Sequence, residues 1–156
     1  MNTGTPFSQR RKLKRQSSIS LDMIQAKPQS SNVCTLRVIS VNDVRKLSNF
    51  ARLSTLIKQE RTPNTVTALA GSFLAPSLLA SIDKGRAMIA TMNLAPISHV
   101  CFGNAEAYHG VEELVARIKE FDGVWLNTNM QSFKGADMPA YDVVEVVNGS
   151  HRRKVI

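Results

Sequence analysis

The spacing of apolar residues changes along the chain in a repeating way. TLRVISV (35–41) is a β-branched run that stops at Asn42-Asp43 and reads as a strand. Residues 45–61 then place Leu47, Phe50, Leu53, Leu56 and Ile57 on one helical face. TVTALA (65–70) is a second strand, ending at Gly71-Ser72. Pro76 suits the first turn of a helix running to about Leu94, with Leu78, Leu79, Ile82, Met88, Ile89 and Met92 apolar. Gly85 interrupts its middle. ISHVCF (97–102) is a third strand, VEELVARIKEF (111–121) a short amphipathic helix and VWLN (124–127) a fourth strand. YDVVEVV (141–147) alternates like a half-exposed strand, and RKVI begins another.

Strand and helix in alternation, with short connections, predict an α/β domain with a parallel sheet covered by helices. Such sheets bind ligands outside the carboxyl ends of their strands. Three successive strands end in NDVR, AGSF and GNAE, so these three tips share one edge and define the candidate site.

The chain of 156 residues has room for one domain, and 43% hydrophobic residues suit a folded core. No apolar run is long enough to span a membrane, and the polar, basic N-terminus has no apolar segment of the secretory type. Residues 1–20 contain Arg and Ser and no acid, which leaves a transit peptide open; cytoplasm or nucleus is the default location. Cys34 and Cys101 both fall in predicted strands and read as buried thiols. The net charge of +8 lies on the ends of the sequence. Residues 1–32 carry Arg10, Arg11, Lys12, Lys14, Arg15 and Lys27 against Asp22, and HRRKVI adds three more cations. Residues 33–150 hold eleven basic and eleven acidic side chains, so no basic groove is expected on the folded part.

Residues 1–32 are expected to form a disordered basic tail ahead of a folded unit at 33–156, because they lack the apolar residues to offset ordering entropy. RRKLKRQSSIS reads as a nuclear address, a patch for acidic partners such as nucleic acid or acidic lipid, or a kinase site at Ser17 or Ser18. A plain solvated linker stands beside these. A phosphate on Ser17 would partly neutralise the cluster.

The three tips together resemble the metallophosphoesterase (calcineurin-like phosphoesterase) superfamily, in its 5′-nucleotidase-like branch. That family carries Asp-x-His after its first strand, Gly-Asp after its second and Gly-Asn-His-Glu after its third. NDVRKLSNFARLSTLIKQER, ALAGSFLAPSLLASIDKGRAMIATMN and ISHVCFGNAEAYHGVEELVARIKEF are similar around each tip, and WLNTN resembles the family's next strand and Asn-bearing loop. The resemblance runs from about Thr35 onward and implies the N-terminal half of a parallel-sheet α/β sandwich of metallophosphoesterase type, truncated. It implies hydrolysis of phosphate esters, nucleotides among them, by divalent metals such as Mn, Zn or Fe. Two such ions clamp a phosphoryl group and activate a water.

By the same resemblance Asp43 holds the first Asp position and Asn104 the Asn position, both as remnants of metal ligands. The His two residues after Asp43 is Arg45, the bridging Asp is Ser72, and the His beside Asn104 is Ala105; Glu106 is retained. His99, His109 and His151 fall outside the family's ligand positions. A degenerate relative is therefore expected, with hydrolysis lost and no metal bound. The alternatives are an active phosphoesterase from a longer gene product and a non-catalytic module acting through its tail. Arg45 could pair a phosphate directly and make the cleft an anion site.

Plainer readings stand beside these. Asp43 reads first as an N-cap for the following helix. Ser72 is a loop hydroxyl, Asn104 and Glu106 are caps, and His109 is a surface residue. His99 packs within its strand, and Trp125 belongs to the core or to an exposed strand face. A chain stopping at RKVI would leave an apolar sheet edge uncovered, open to a protein partner.

Overall fold

The computed structural model describes residues 32–130 and 132–156. The tail, with its two candidate modification sites Ser17 and Ser18, lies outside the described residues apart from Asn32. Four strands form a parallel sheet in sequential order: β1 (Arg37–Val41), β2 (Thr65–Leu69), β3 (His99–Cys101) and β4 (Val124–Leu126). The register runs from Ile39 opposite Thr67, through Leu69 opposite Val100, to Val100 opposite Trp125. Between them come α1 (Leu47–Glu60), α2 (Leu78–Asp83), α3 (Arg86–Leu94), a 3-10 turn (Glu106–His109) and α4 (Val111–Glu120).

Sequential strand order has a consequence. Parallel crossovers are right-handed, and when each one steps in the same direction every helix lands on the same face. Side chains alternate along each strand. Leu69, Val100 and Trp125 therefore meet Phe50 and Ile57 of α1, Met88, Ile89 and Met92 of α3, and Leu114 and Ile118 of α4 in one buried core. Trp125 is the aromatic centre, with Phe73, Phe102 and Phe121 rings at 5.4, 5.5 and 6.3 Å. The expected α1 face is confirmed in Phe50 and Ile57, both buried.

The expected single helix from Pro76 to Leu94 is two. Lys84 and Gly85 take consecutive left-handed conformations, φ 56° and 81°, which end α2 and start α3. Asp83 fixes the break, its carboxylate accepting the N–H groups of Gly85 and Ala87 at 2.9 and 2.8 Å. Buried Arg117 of α4 donates to the carbonyls of Asp83 and Lys84, a cation at a helix C-terminus. Pro76 stands outside the helix, before Ser77, whose hydroxyl oxygen caps Ala80 N–H. Because α2 buries only Ala80, Leu78 and Ile82 are left 85% and 75% exposed rather than in the core. Cys34 lies ahead of β1, not in a strand, and both cysteines are half-buried rather than buried.

The last strands leave the parallel sheet. β5 (Val144–Asn148) and β6 (His151–Val155) form a separate antiparallel hairpin closed by Gly149-Ser150. Asn64 fastens it, its side-chain amide exchanging both bonds with the Val147 backbone at 2.7 and 3.0 Å. Asn148 adds a bond to the Val33 carbonyl. The hairpin stands over the helix-free face, enclosing an apolar slot of about 360 Å³ with Val38, Val66, Leu126, Val144 and Val155 in its walls. Among the described residues no helix is long and apolar enough to cross a membrane.

The α2–α3 break yields a paired prediction. Lys84→Gly relieves a left-handed side chain and should add about 1 kcal/mol, or about 2–4 °C in melting midpoint. Gly85→Ala should lower the midpoint, because its Cβ would meet Leu74 at 3.1 Å on a left-handed backbone. Thermal unfolding by circular dichroism separates the two signs.

Candidate functional site

The tips of β1, β2 and β3 meet at the carboxyl edge, joined by backbone and side-chain bonds. Asp43 N–H donates to Gly71 carbonyl at 3.2 Å, tying the first tip to the second. At the second and third tips the main chains touch. A Cβ on Gly71 would stand 2.4 Å from Gly103 N, and one on Gly103 would stand 2.4 Å from Ser72 N. Only glycine fits either place.

Glu106 locks this contact. It is 2% exposed, and its carboxylate accepts N–H from Phe73 at 2.8 Å and Leu74 at 3.5 Å with one oxygen, and from Gly103 at 2.5 Å with the other. A buried carboxylate sharing two loops' amides is a strong, directional tie. Half-buried Cys101 lies close enough to feel it. Burial, and then the Glu106 charge, raise its thiol above the ordinary value, so it is a poor nucleophile.

The side chains around this frame pair with one another. Arg45 donates to Asp43 Oδ1 at 2.8 Å, while Asn42 donates to Asp43 Oδ2 at 2.9 Å. Ser72 Oγ donates to Asn104 Oδ1 at 2.7 Å, so the hydroxyl occupies the amide oxygen. Asp43 and Ser72 hold φ of 54° and 56°, a left-handed backbone that side-chain-bearing residues seldom adopt and that concentrates at functional sites. The capping reading of Asp43 is overturned. The N-cap of α1 is Lys46, with no side-chain cap bond, and the Asp43 carboxylate is turned to Arg45. Glu106 likewise ties two strand tips instead of capping α4, whose N-cap is Gly110.

The structure thus brings Asp43, Arg45, Ser72 and Asn104 to one edge, as two pairs. As a donor set for metal they are meagre: one carboxylate and one amide oxygen, with a guanidinium and a hydroxyl at the other two positions. Among the described residues no group of three or more His, Cys, Asp or Glu side chains is placed to hold a metal ion. Ala105 opens the 3-10 turn with no polar side chain, and His109 follows half-buried, its Nε2 shielded and its ring edge-on to Tyr108 at 5.1 Å.

His99 belongs to the opposite face. Its Nε2 lies 2.9 Å from Asp142 Oδ2 and its Nδ1 2.8 Å from Ser98 Oγ. With Nε2 carrying a proton, it donates to the Asp142 carboxylate, while Ser98 Oγ also donates to the Thr67 carbonyl at 3.0 Å. The pair pins the segment before β5 to the sheet. Asp142 gave no sequence signal, because its partner lies 43 residues away.

No protein-family model matches the chain, and no curated protein matches it either. Solved structures do. The calcineurin-like phosphoesterase YfkN from Bacillus subtilis is similar over 77% of this chain and 46% of its own, at TM-score 0.59 and 20% identity. NAD nucleotidase (NadN) from Haemophilus influenzae is similar over 78% of this chain and 26% of its own, at 0.61 and 19%. The 5′-nucleotidase precursor from Thermus thermophilus gives 78%, 28%, 0.60 and 19% in the same order. The fold is therefore that of the calcineurin-like phosphoesterases, and the chain spans less than half the length of these structures.

Two outcomes are expected. Glu106→Gln turns an amide N–H toward backbone donors and should cost about 2–3 kcal/mol, read from urea unfolding, with no change in the content of β-sheet. Asp142 is held below its ordinary value of 3.8, chiefly by the His99 hydrogen bond and next by the Val143 N–H. A carboxyl depressed on folding adds stability above its unfolded value, and loses it as pH falls through the folded one. The advantage of the wild type over Asp142→Asn should therefore shrink below about pH 4 in a pH series of urea midpoints.

Proposed function

We propose that this chain is a degenerate calcineurin-like phosphoesterase domain that binds rather than hydrolyses. The observation that carries the reading is Arg45 on Asp43, at 2.8 Å. A cation sits on the carboxylate that the resemblance assigns to metal, and repels a dication from it. Ser72, bonded to Asn104, supports the same reading, since a neutral hydroxyl cannot offset the repulsion between two dications as a bridging carboxylate does. Ala105 leaves the phosphate without an imidazole partner.

The ligand class that the resemblance and the fold support is a nucleotide or another phosphate ester. The Asp43–Arg45 pair is exposed, and such pairs contribute about 0–1 kcal/mol, so an anion can compete for the guanidinium at small cost. A retained hydrolase is the opposing reading, and the fold is its support.

Metal content and turnover decide between them. After incubation with Mn²⁺ or Zn²⁺ and desalting, the folded chain should retain no stoichiometric metal, and it should release no phosphate from AMP above the buffer rate. A combined Arg45→His, Ser72→Asp and Ala105→His variant should retain more Mn²⁺ than wild type. Stoichiometric metal together with phosphate release from the unaltered chain would sink the proposal.

A further inference from the structure

We propose that the outer edge of β6 is a docking edge for an acidic, extended peptide of a partner protein, which would add to the hairpin as a third strand. The backbone supplies the first half of the argument. In an antiparallel pair, residues alternate between those that bond across the pair and those whose N–H and C=O point outward. Val147 points outward from β5, where Asn64 satisfies both its groups. Its partners in register follow: Arg152 lies opposite Val147 and Lys154 opposite Glu145, so both point their backbone groups outward from β6. Among the described residues no backbone bond reaches that edge. One edge of the hairpin is fastened to the domain; on the other, the Arg152 carbonyl accepts from the Arg153 guanidinium at 3.2 Å, an exposed side chain that an incoming strand can displace.

Charge decides the occupant. The open strand reads HRRKV, with Arg152, Arg153 and Lys154 all exposed. Arg152 has Glu145 at 3.0 Å, and among the described residues Arg153 and Lys154 have no acidic partner. A second copy of this chain pairing antiparallel through β6 would set cations against cations, which is unfavourable. An incoming strand with acidic residues on the side of Arg152 and Lys154 would be attracted. Its alternate residues would then lie on the side of His151, Arg153 and Val155, where Val155 borders the apolar slot. The best match is therefore a segment alternating acidic and apolar residues. This edge shares no residue with the strand-tip site, and its docking role holds whether or not the tips turn over a phosphate ester.

The test uses the full chain and a fluorescein-labelled octapeptide of alternating Glu and Val, followed by anisotropy. Saturable binding is expected, weakened about tenfold or more by Arg152→Glu with Lys154→Glu, whose side chains are exposed and leave the fold intact. The same peptide N-methylated at alternate residues should lose binding, since edge pairing needs its N–H groups. Neutralising Arg10, Arg11, Lys12, Lys14 and Arg15 to Gln should leave affinity unchanged. The proposal is overturned by no saturable binding, by equal binding of the N-methylated peptide (charge alone), or by loss on neutralising the tail. Phosphate release and metal content are read separately and do not bear on it.

Discussion

Three backbone N–H groups from two strand tips converge on the buried carboxylate of Glu106, and the architecture of the candidate site depends on that convergence. Gly71 and Gly103 bring the two loops into backbone contact, and the amides of Phe73, Leu74 and Gly103 donate to the carboxylate. A carboxylate is the one side chain that can serve several of them at once, having acceptor sites and no donor when ionised. Burial, and after it this charge, raise the neighbouring Cys101 thiol. The frame that displays Ser72 and Asn104 is therefore rigid, whatever those two residues do.

On that frame the polar side chains are turned toward each other. The left-handed backbone at Asp43 and Ser72 is a conformation the surroundings must hold.

The second organising constraint is one-sidedness. Sequential strand order places the helices on one face, and a parallel sheet is stable when both are covered. Here the β5–β6 hairpin, the Asn64 clasp and the His99–Asp142 pair cover part of the second face, leaving an apolar slot. The outer strand of that hairpin, β6, carries Arg152, Arg153 and Lys154.

Period and turn residues made the strands, α1 and α4 legible, since each buries one face and its apolar spacing reports that face. The three tips were legible too, because strand ends in a parallel sheet share an edge, and the fold's similarity to phosphoesterases agrees with the resemblance those tips carry. What needed the tertiary structure were the partners of the polar side chains, whether near or far in the chain. Asp83 and Arg117 break the helix after Pro76, which local spacing presents as continuous. Asp43 stands where a cap would but faces Arg45, and Glu106, placed for a local cap, reaches Phe73. Alternation identified β5 as a strand but could not say which sheet it joins, because a half-exposed strand shows the same pattern in either. Only the register with β6, and the Asn64 side chain that holds it, decided that.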